Sequence, residues 1–560
     1  MKKHLLLLIT AMLFSTVSTF AQDCDYSGAF GPLEWCLKDG TLTISGEGEM
    51  PNYYLTTIPW FEYRESINTV IIENGVTSIG SDAFYNTSLT TITLPNSLIS
   101  IGDAAFYSCK NLITITLPSN LANIASNAFG NCTNFTSINV ESGNNTYASE
   151  NGVLFNKGKT TLICYPSGKT GEYVIPNGVT TIGERAFDGP VNLSSINIPN
   201  SLITIEKSAF IACTFTSITI PSSVTSVGLS AFFSCKNLTS INIESGNSIY
   251  ASENGVLFDK SKTTLICCPE GKVGTYTVPN GVTNIEMGAF AYCEGLTSIF
   301  ISNSVTDIGL SAFWGCSSLE SISIGNNVTT IGENAFAYCT SLMSIDVDDE
   351  NNSYASENGV FFNKSKTILF LYPAKKTGEY YVIPNGVRDI ERVAFYACKN
   401  LTSITIPNSV ENFGINAFLY CENLTLITNL NPEPVVVAGN IFTGVNVYAC
   451  TLKVPIESVV AYQNTDVWKN FNVVGFNVGI ENIESTTVKV YPNPTTGELR
   501  IESGELRIEN VVIYDVFGKI QKIEEWKVEN TIDISHLSAG VYFVKINTGT
   551  GEVVKKVLKE

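Results

Sequence analysis

The residues best suited to chemistry in this sequence are its cysteines, which recur at a fixed position in a repeated motif. Nine of the fifteen lie three residues after the phenylalanine of an Ala-Phe pair: Cys109, Cys132, Cys213, Cys235, Cys293, Cys316, Cys339, Cys398 and Cys421. Metal binding or redox chemistry needs converging thiolates, and the sequence has no Cys-x-x-Cys pair. Thr87 and Pro190 replace the cysteine in two repeats. A free cysteine behaves as a small hydrophobe, so we predict a column of buried thiols.

Histidine, a common general base and metal ligand, is nearly absent. The two histidines are His4, close to the N-terminus, and His536, close to the C-terminus. The long segment between them therefore has no Ser-His or Cys-His dyad and no His-ligated metal. Acidic residues could act in pairs, but Glu150, Glu253 and Glu357 recur at one place in three similar units, which a catalytic pair has no reason to do. We predict a protein with no enzyme activity, no cofactor and no metal site.

Charge and the N-terminal residues restrict the compartment and the partners. The 560-residue chain has 33 basic and 52 acidic residues and a net charge of -19, which disfavours nucleic acid as a partner. Two lysines, the apolar run Leu5–Phe14 and small residues after it predict a secretory signal peptide over residues 1–21. No later stretch approaches the roughly 18 apolar residues of a transmembrane helix. Export to an oxidising compartment favours a disulfide between Cys24 and Cys36.

The elements that must position these residues are short repeats. The Ala-Phe pair recurs with its phenylalanine at positions 84, 106, 129, 187, 210, 232, 290, 313, 336, 395 and 418. The steps are 22 or 23 residues within clusters and 58 or 59 between them. A second motif, Tyr-Ala-Ser-Glu-Asn-Gly-Val, fills the gaps and begins at Tyr147, Tyr250 and Tyr354. The sequence therefore consists of blocks of short repeats with one longer unit each, which is typical of a solenoid.

One short repeat shows how each coil is expected to fold. Leu238, Ile241 and Ile243 place apolar side chains on one face of a strand, and Ser240 and Asn242 lie on the other. We interpret the Ala-Phe piece as a tight turn or short helix that inserts the phenylalanine into the core. A single coil cannot bury its own apolar face, whereas stacked coils share one core and present a parallel ladder of strands on one flank.

These units give a domain organisation and a fold class. We predict a mainly β leucine-rich-repeat solenoid over residues 67–430, with eleven repeats of about 23 residues and three longer units. Residues 22–66 form its N-terminal cap and 431–475 its C-terminal cap. The signature Ile-Gly-x-x-Ala-Phe-x-x-Cys-x-x-Leu-x-x-Ile, within Asp23–Gly475, resembles the BspA-like leucine-rich-repeat family of bacterial surface proteins. The resemblance implies a cell-surface protein that adheres to host proteins and to other bacteria.

The C-terminal residues follow a different pattern. Residues 476–487 are predicted to be a linker, and 488–560 contain short alternating strands with glycine turns that predict a small β-sandwich. This segment is similar to the C-terminal sorting domain of the type IX secretion system (type A), which implies passage through that translocon and release or attachment to surface lipopolysaccharide. The residues assigned to this signal by the resemblance are Pro492, Asn493, Pro494, Gly497, Asp515, Gly518, Gly540 and Tyr542.

The outward positions of the strands are the candidate binding surface, since solenoids bind partners through such extended faces. The candidate binding residues are Phe300, Asp346, Asn242 and Asn197 at these positions and, as a second scattered aromatic, Trp314. Phe300 is the one aromatic residue in a row of Thr, Asn and Ser, and aromatics are enriched among interface hot spots. The alternative is plain β-surface chemistry, in which these residues only solvate the ladder. The expected function is an adhesin for host matrix or bacterial surface proteins, with a glycan-capture module or a structural surface-layer component as alternatives.

Overall fold

The computed structural model describes residues 23–189, 192–476, 488–503, 508–515, 520–525, 531–548 and 551–560. The predicted signal peptide, all of the predicted linker except Phe476, and Gly518 of the sorting signal lie outside these ranges, as does Pro190. Within them, the repeats form stacked coils, which confirms the predicted mainly β solenoid.

The coils are built from two short strands, which we call the A-strand and the B-strand; the last three A-strands have no B-strand among the described residues. In an A-strand such as Ser240–Ile243, Ile241 is fully buried and Asn242 is exposed, because successive side chains point to opposite faces. The A-strands are Thr69–Ile72, Thr91–Thr93, Thr114–Leu117, Ser137–Val140, Gly171–Val174, Leu193–Asn197, Ser217–Ile220, Ser240–Ile243, Val273–Thr277, Gly295–Phe300, Ser321–Ile324, Ser344–Val347, Tyr380–Val382, Ser403–Ile406, Leu426–Asn429, Thr451–Pro455 and Asn472–Phe476.

The B-strands are shorter and form a second parallel ladder. In this ladder, residues at the same position of successive repeats lie opposite each other, as Thr204 does with Ser226 and Ile205 with Val227. The B-strands are Val76–Ile79, Ser100–Ile101, Asn123–Ile124, Thr161–Cys164, Thr181–Ile182, Thr204–Ile205, Ser226–Val227, Thr264–Cys267, Asn284–Ile285, Asp307–Ile308, Thr330–Ile331, Ile368–Leu371, Asp389–Ile390 and Asn412–Phe413.

The Ala-Phe segment after each B-strand is a turn, which decides between the two forms expected from the sequence. Residues two before and two after the phenylalanine have positive φ, as in Asp82 (57°) and Asn86 (53°) around Phe84, and such residues cannot continue a right-handed helix. The phenylalanine N–H donates instead to the next coil, as from Phe210 to the Ala231 oxygen at 2.8 Å. Consecutive rings within a block stack with centroids 4.9 to 5.6 Å apart.

The repeat cysteines are buried and bridge adjacent coils. All nine are free thiols. Each donates to the backbone oxygen of the phenylalanine of the preceding coil, or of the residue in its place, at 2.8 to 3.8 Å. Thr87, which replaces the cysteine, donates from Oγ1 to the Phe84 oxygen at 3.0 Å. The thiol is therefore a hydrogen-bond donor as well as a small apolar group.

Each longer unit inserts a β-hairpin, and this hairpin interrupts the A-ladder. The N–H of Ile241 donates to the Gly255 oxygen at 2.9 Å, so the hairpin tip takes the place of the next A-strand. The hairpin strands pair antiparallel with each other and with the following B-strand, which begins a new B-ladder. The insert hairpins are Tyr147–Glu150 with Val153–Asn156, Tyr250–Glu253 with Val256–Asp259, and Tyr354–Glu357 with Val360–Asn363. The single ladder expected from the sequence is thus divided into blocks, separated by what we call junctions.

A buried asparagine fixes the chain at each junction. The Asn247 side chain donates to the oxygens of Pro221 and Val224 at 3.0 and 2.9 Å and accepts from the N–H groups of Ile249 and Tyr250 at 2.9 and 2.7 Å. Equivalent bonds surround the equally buried asparagines of the other two junctions, Asn144 and Asn351. Each amide therefore pairs four backbone groups that would otherwise be buried without partners.

The N-terminal cap is a short antiparallel sheet that covers the first coil. Its antiparallel strands are Tyr26–Phe30, Leu33–Lys38 and Thr41–Gly46, and its 3₁₀ helices are Leu55–Thr57 and Phe61–Tyr63. A further strand of the cap, Gly48–Glu49, pairs parallel with Val76–Ile79 at the start of the first B-ladder. Trp60 is fully buried and donates from Nε1 to the Ala83 oxygen at 2.8 Å. Cys24 and Cys36 form a disulfide with a Cα–Cα distance of 5.5 Å, which ties the start of the sheet to its second strand.

The C-terminal cap closes the last coil with aromatic side chains. It contains the 3₁₀ helices Ile456–Ser458 and Trp468–Asn470 and, between them, the helix Val459–Asn464. Trp468 is buried and donates from Nε1 to the Val435 oxygen at 2.8 Å. None of the helices in the described ranges has the length and apolarity that a bilayer-spanning helix needs.

The C-terminal segment forms two antiparallel sheets around its own core, as expected for a small β-sandwich. The three-stranded sheet contains Lys489–Tyr491, Glu498–Glu502 and Thr531–Asp533, and the four-stranded sheet contains Ile508–Asp515, Ile520–Glu525, Gly540–Thr548 and Gly551–Lys559. This core includes the fully buried Leu499 and Val544.

We expect the junction asparagine to be among the most sensitive positions of the solenoid. Replacing Asn247 with Ala should lower the free energy of unfolding by on the order of 3 kcal/mol, because four backbone groups lose their partner. Chemical denaturation followed by circular dichroism measures this. The control is Asn242→Ala on the exposed side of an A-strand, which should change stability by less than about 0.5 kcal/mol. Equal effects of the two substitutions would contradict this role of Asn247.

We expect the donor function of the repeat thiols to set the order of stability among variants. Cys316→Ser keeps a donor for the Phe290 oxygen and should cost less than Cys316→Ala, which loses roughly 1 kcal/mol or more with the bond. Thermal unfolding of the two variants in parallel gives the comparison. The opposite order would mean that the thiol acts only as an apolar filler.

Candidate functional site

The outward side chains of the A-strands, which we call the A-face, form rows wherever neighbouring A-strands pair with each other. Thr219 lies opposite Asn242 in one strand pair, whereas Asn197 belongs to the other pair of the second block, Gly171–Val174 with Leu193–Asn197, so the two predicted asparagines lie on two separate strand pairs. All three side chains are exposed. Their amide and hydroxyl groups offer donors and acceptors to a partner at a spacing of one coil.

One row of the third block holds Phe300 and Asp346. Phe300 pairs with Ser323 and Ser323 with Asp346. Phe300 is 46% exposed, so its ring does not pack fully against its neighbours. The Ser344 hydroxyl donates to the Asp346 carboxylate at 3.0 Å, which orients that acid on the surface.

The first A-strand of a block adds apolar residues that the sequence did not single out. Tyr380 and Val382 in the fourth block are 73% and 57% exposed. Val174 and Val273, in the first A-strands of the second and third blocks, are exposed as well. These strands follow an insert hairpin and lie outside the Leu-x-x-Ile-x-Ile pattern, so the repeat gives no signal for them. The A-face therefore combines rows of Ser, Thr and Asn with apolar side chains at the junctions.

Trp314 lies elsewhere, on an Ala-Phe turn, and belongs to a line of aromatic rings that we call the aromatic ridge. Its members are Phe233, Tyr292, Trp314, Tyr338, Tyr396 and Tyr420. Four successive pairs have ring centroids 4.5 to 6.0 Å apart, and Trp314 donates from Nε1 to the Tyr292 hydroxyl at 3.2 Å. The signal that could have found the ridge is an aromatic residue one or two places after the repeat phenylalanine.

The rings of the ridge cover one another. The four ring pairs meet at angles of 44° to 79°, so edges contact faces, and the first five members are only partly exposed. Two of these pairs, Phe233 with Tyr292 and Tyr338 with Tyr396, connect repeats on opposite sides of a junction. The ridge therefore helps to hold neighbouring blocks together, because edge-to-face aromatic pairs are stabilising.

The thiols and acids of the repeats have structural partners. Contact with Cys339 and burial raise the pKa of the Cys316 thiol well above its ordinary value, and burial raises the pKa of Cys164 to about 12. Burial opposes ionisation of Cys109 too, but hydrogen bonds with Cys132 and Thr87 lower its pKa overall. A reactive cysteine needs both a lowered pKa and exposure, and Cys109 is fully buried. The recurring hairpin acids Glu150, Glu253 and Glu357 each form an ion pair at 2.6 Å with a lysine nine residues later. Within the described ranges, no group of three His, Cys, Asp or Glu side chains could hold a metal.

A cleft of about 370 Å³ opens at the second junction. It lies between the turn that holds Phe233, the insert hairpin and the B-strand that follows it, and the turn that holds Met287. Glu270 lines this cleft and is only 8% exposed. Burial raises the pKa of Glu270 to about 7, although its Oε1 accepts the Ser234 N–H at 2.5 Å.

The predicted sorting residues hold the C-terminal segment together. Seven of the eight lie within the described ranges, and Gly518 does not. Asn493 donates to the Lys556 oxygen and accepts the Leu558 N–H, both at 2.8 Å, which ties the start of the segment to its last strand. Tyr542 donates to the Ser538 oxygen at 2.9 Å. Contact of these residues with a translocon stays a prediction.

Two family models match the chain. The model described as BspA type leucine rich repeat region (6 copies) matches residues 59–166, 163–268, 266–379 and 372–485. The model described as secretion system C-terminal sorting domain matches residues 489–560. Among curated proteins, none matches this chain.

Solved structures of bacterial leucine-rich repeat proteins are similar to the chain. A leucine-rich repeat protein from Eubacterium ventriosum is 25% identical, with 75% of this chain and 94% of that chain covered and a TM-score of 0.37. A leucine rich cell surface protein from Faecalibacterium prausnitzii is 26% identical, with 73% and 96% covered and a TM-score of 0.38. The chain belongs to the BspA-type leucine-rich repeat family, and its sorting domain directs it by type IX secretion to the cell surface or the extracellular space.

Proposed function

We propose that the protein is an adhesin that binds host matrix or bacterial surface proteins through its A-face. The observation that carries this proposal is the exposure of aromatic and apolar side chains, above all Phe300, Tyr380 and Val382, within rows that consist mostly of uncharged polar residues. Protein interfaces favour this composition, because their centres are rich in aromatics and poor in charge. A face built on stacked coils is also preorganised, which lowers the entropy cost of binding.

The proposal also assigns a function to each segment of the chain. Residues 1–21 would act as the signal peptide, 22–475 as the capped binding solenoid, 476–487 as the linker and 488–560 as the sorting domain. Attachment to surface lipopolysaccharide after export would leave the A-face outside the cell. Binding without catalysis agrees with a repeat family whose members are typically binding modules.

Glycan capture receives less support from the contacts. A sugar ring stacks on the open face of an aromatic side chain, but the members of the aromatic ridge cover one another's faces. A surface-layer role requires self-association, which light scattering of the purified protein would show.

We expect Phe300→Ser and Tyr380→Ser each to weaken binding to a purified matrix or surface protein by about tenfold or more, since loss of a hot-spot aromatic costs roughly 2 kcal/mol. Surface plasmon resonance of the purified protein over a panel of such ligands gives the dissociation constants. The matched control is Tyr54→Ser, which removes an exposed aromatic from the N-terminal cap.

The panel also separates the two parts of the proposal. Saturable binding that neither A-face substitution weakens would place the interface elsewhere. No saturable binding to any protein in a broad panel would contradict the adhesin proposal itself.

A further inference from the structure

The second junction has an acidic residue at a buried position where the other two junctions have small residues. Glu270 occupies the position of Ser167 in the first junction and Ala374 in the third, because Cys-Pro-Glu-Gly-Lys aligns with Tyr-Pro-Ser-Gly-Lys and Tyr-Pro-Ala-Lys-Lys. Both counterparts are buried, and Ser167 donates to the Cys132 oxygen at 2.6 Å. The fold therefore accepts a small side chain at this position, and a carboxylate is not needed to close the junction.

The carboxylate of Glu270 is only half satisfied. Oε1 accepts the Ser234 N–H at 2.5 Å, whereas the buried Oε2 has no hydrogen-bond partner among the described residues. A buried carboxylate oxygen without a partner is costly. A charged residue that the fold does not need, kept at this cost, points to a ligand that supplies the missing donor.

The surroundings of Glu270 define the chemistry of that ligand. The cleft walls include the apolar side chains of Phe233, Leu257, Ile266 and Met287. The ammonium group of Lys236 is engaged with both carboxylate oxygens of Glu294 at 3.2 Å on the surface. The cleft also contains a second acid, Glu286, and no Lys or Arg lines it. An apolar stem that ends in a cation matches this arrangement.

We propose that the second junction cleft binds a primary alkylammonium group, namely the lysine side chain of a partner protein. Its four-carbon stem would lie along the apolar walls. Oε2 of Glu270 is buried in the free protein, so the side chains over it would shift on binding, and the ammonium would then donate to Oε2 in a charge-assisted bond. Lysine suits the site better than arginine, because Oε1 is already occupied by Ser234 and a guanidinium prefers both oxygens. The net charge of -19 would attract a basic partner. This inference rests on the proposed binding function and names a chemical feature of the partner.

The test uses the purified full chain and three amino acids capped at the α-amino and carboxyl groups, with free side chains: Nα-acetyl-lysine amide, Nα-acetyl-arginine amide and Nα-acetyl-norleucine amide. Titration at pH 8, above the pKa of Glu270, is followed by NMR or calorimetry. We expect saturable binding of the lysine compound with a dissociation constant on the order of 1 mM. The norleucine compound, which has the stem without the charge, and the arginine compound should each bind at least about tenfold more weakly.

Variants connect this binding to the cleft. Glu270→Gln, Glu270→Ser and Glu270→Ala should each weaken binding of the lysine compound by at least about tenfold. The last two introduce residues that already occupy this position in the other junctions, so we expect them to fold, and circular dichroism checks this. Glu320→Gln, which removes an exposed acid outside the cleft, should leave the affinity unchanged.

Three outcomes would overturn the inference. The first is equal affinity for the lysine and norleucine compounds, and the second is unchanged affinity in the folded Glu270 variants. The third is binding of n-butylamine without binding of the lysine compound, which would assign the cleft to free amines. Failure here with intact, Phe300-dependent protein binding would refute only the lysine site. Lysine binding without any protein ligand for the A-face would refute only the adhesin proposal.

Discussion

The whole solenoid depends on each coil burying its apolar face against the next. The phenylalanine column shows this most directly, because rings such as Phe187, Phe210 and Phe313 are completely buried and each stacks on a ring from a neighbouring coil. The burial of one such ring contributes roughly 1.5–3 kcal/mol, but only when both neighbours are present. The terminal coils lack one neighbour, which is why Trp60 and Trp468 cover them.

The insert hairpins interrupt this stacking, and other contacts compensate at each junction. Buried asparagines satisfy the backbone where the ladder ends, and side chains on the Ala-Phe turns connect the blocks. At the first junction Arg185 approaches Asn127 at 3.4 Å and pairs with Asp188 at 2.8 Å, whereas aromatic pairs of the ridge span the other two. The contacts between neighbouring blocks are thus made by different residue types at the three junctions.

The sequence predicted what repeats in every coil, because period-two alternation and the fixed Ala-Phe spacing specify local geometry. It could not predict where the A-ladder stops, since that depends on the oxygen of Gly255 meeting the N–H of Ile241 in three dimensions. It identified Phe300 from a break in a regular row, but it could not predict that Trp314 lies on a different surface, because that depends on the path of the Ala-Phe turn. Glu270 was visible as a difference between aligned units, but its burial and unpaired oxygen needed the fold.

These differences between equivalent positions are where function is expected to reside. A residue that recurs at one repeat position makes a contact that the fold of that unit needs. The cysteine of nine short repeats donates to a backbone oxygen, and the glutamate of the three insert hairpins pairs with a lysine. A residue that differs from the others at its repeat position is not needed for that contact. Phe300, Tyr380 and Glu270 each differ from the residues at equivalent positions in a way that costs stability. Phe300 and Tyr380 expose apolar area, and Glu270 buries a carboxylate oxygen that has no hydrogen-bond partner among the described residues. Because stacking already stabilises the scaffold, a few such sites are tolerated, and specificity for a partner can evolve at them without loss of the fold.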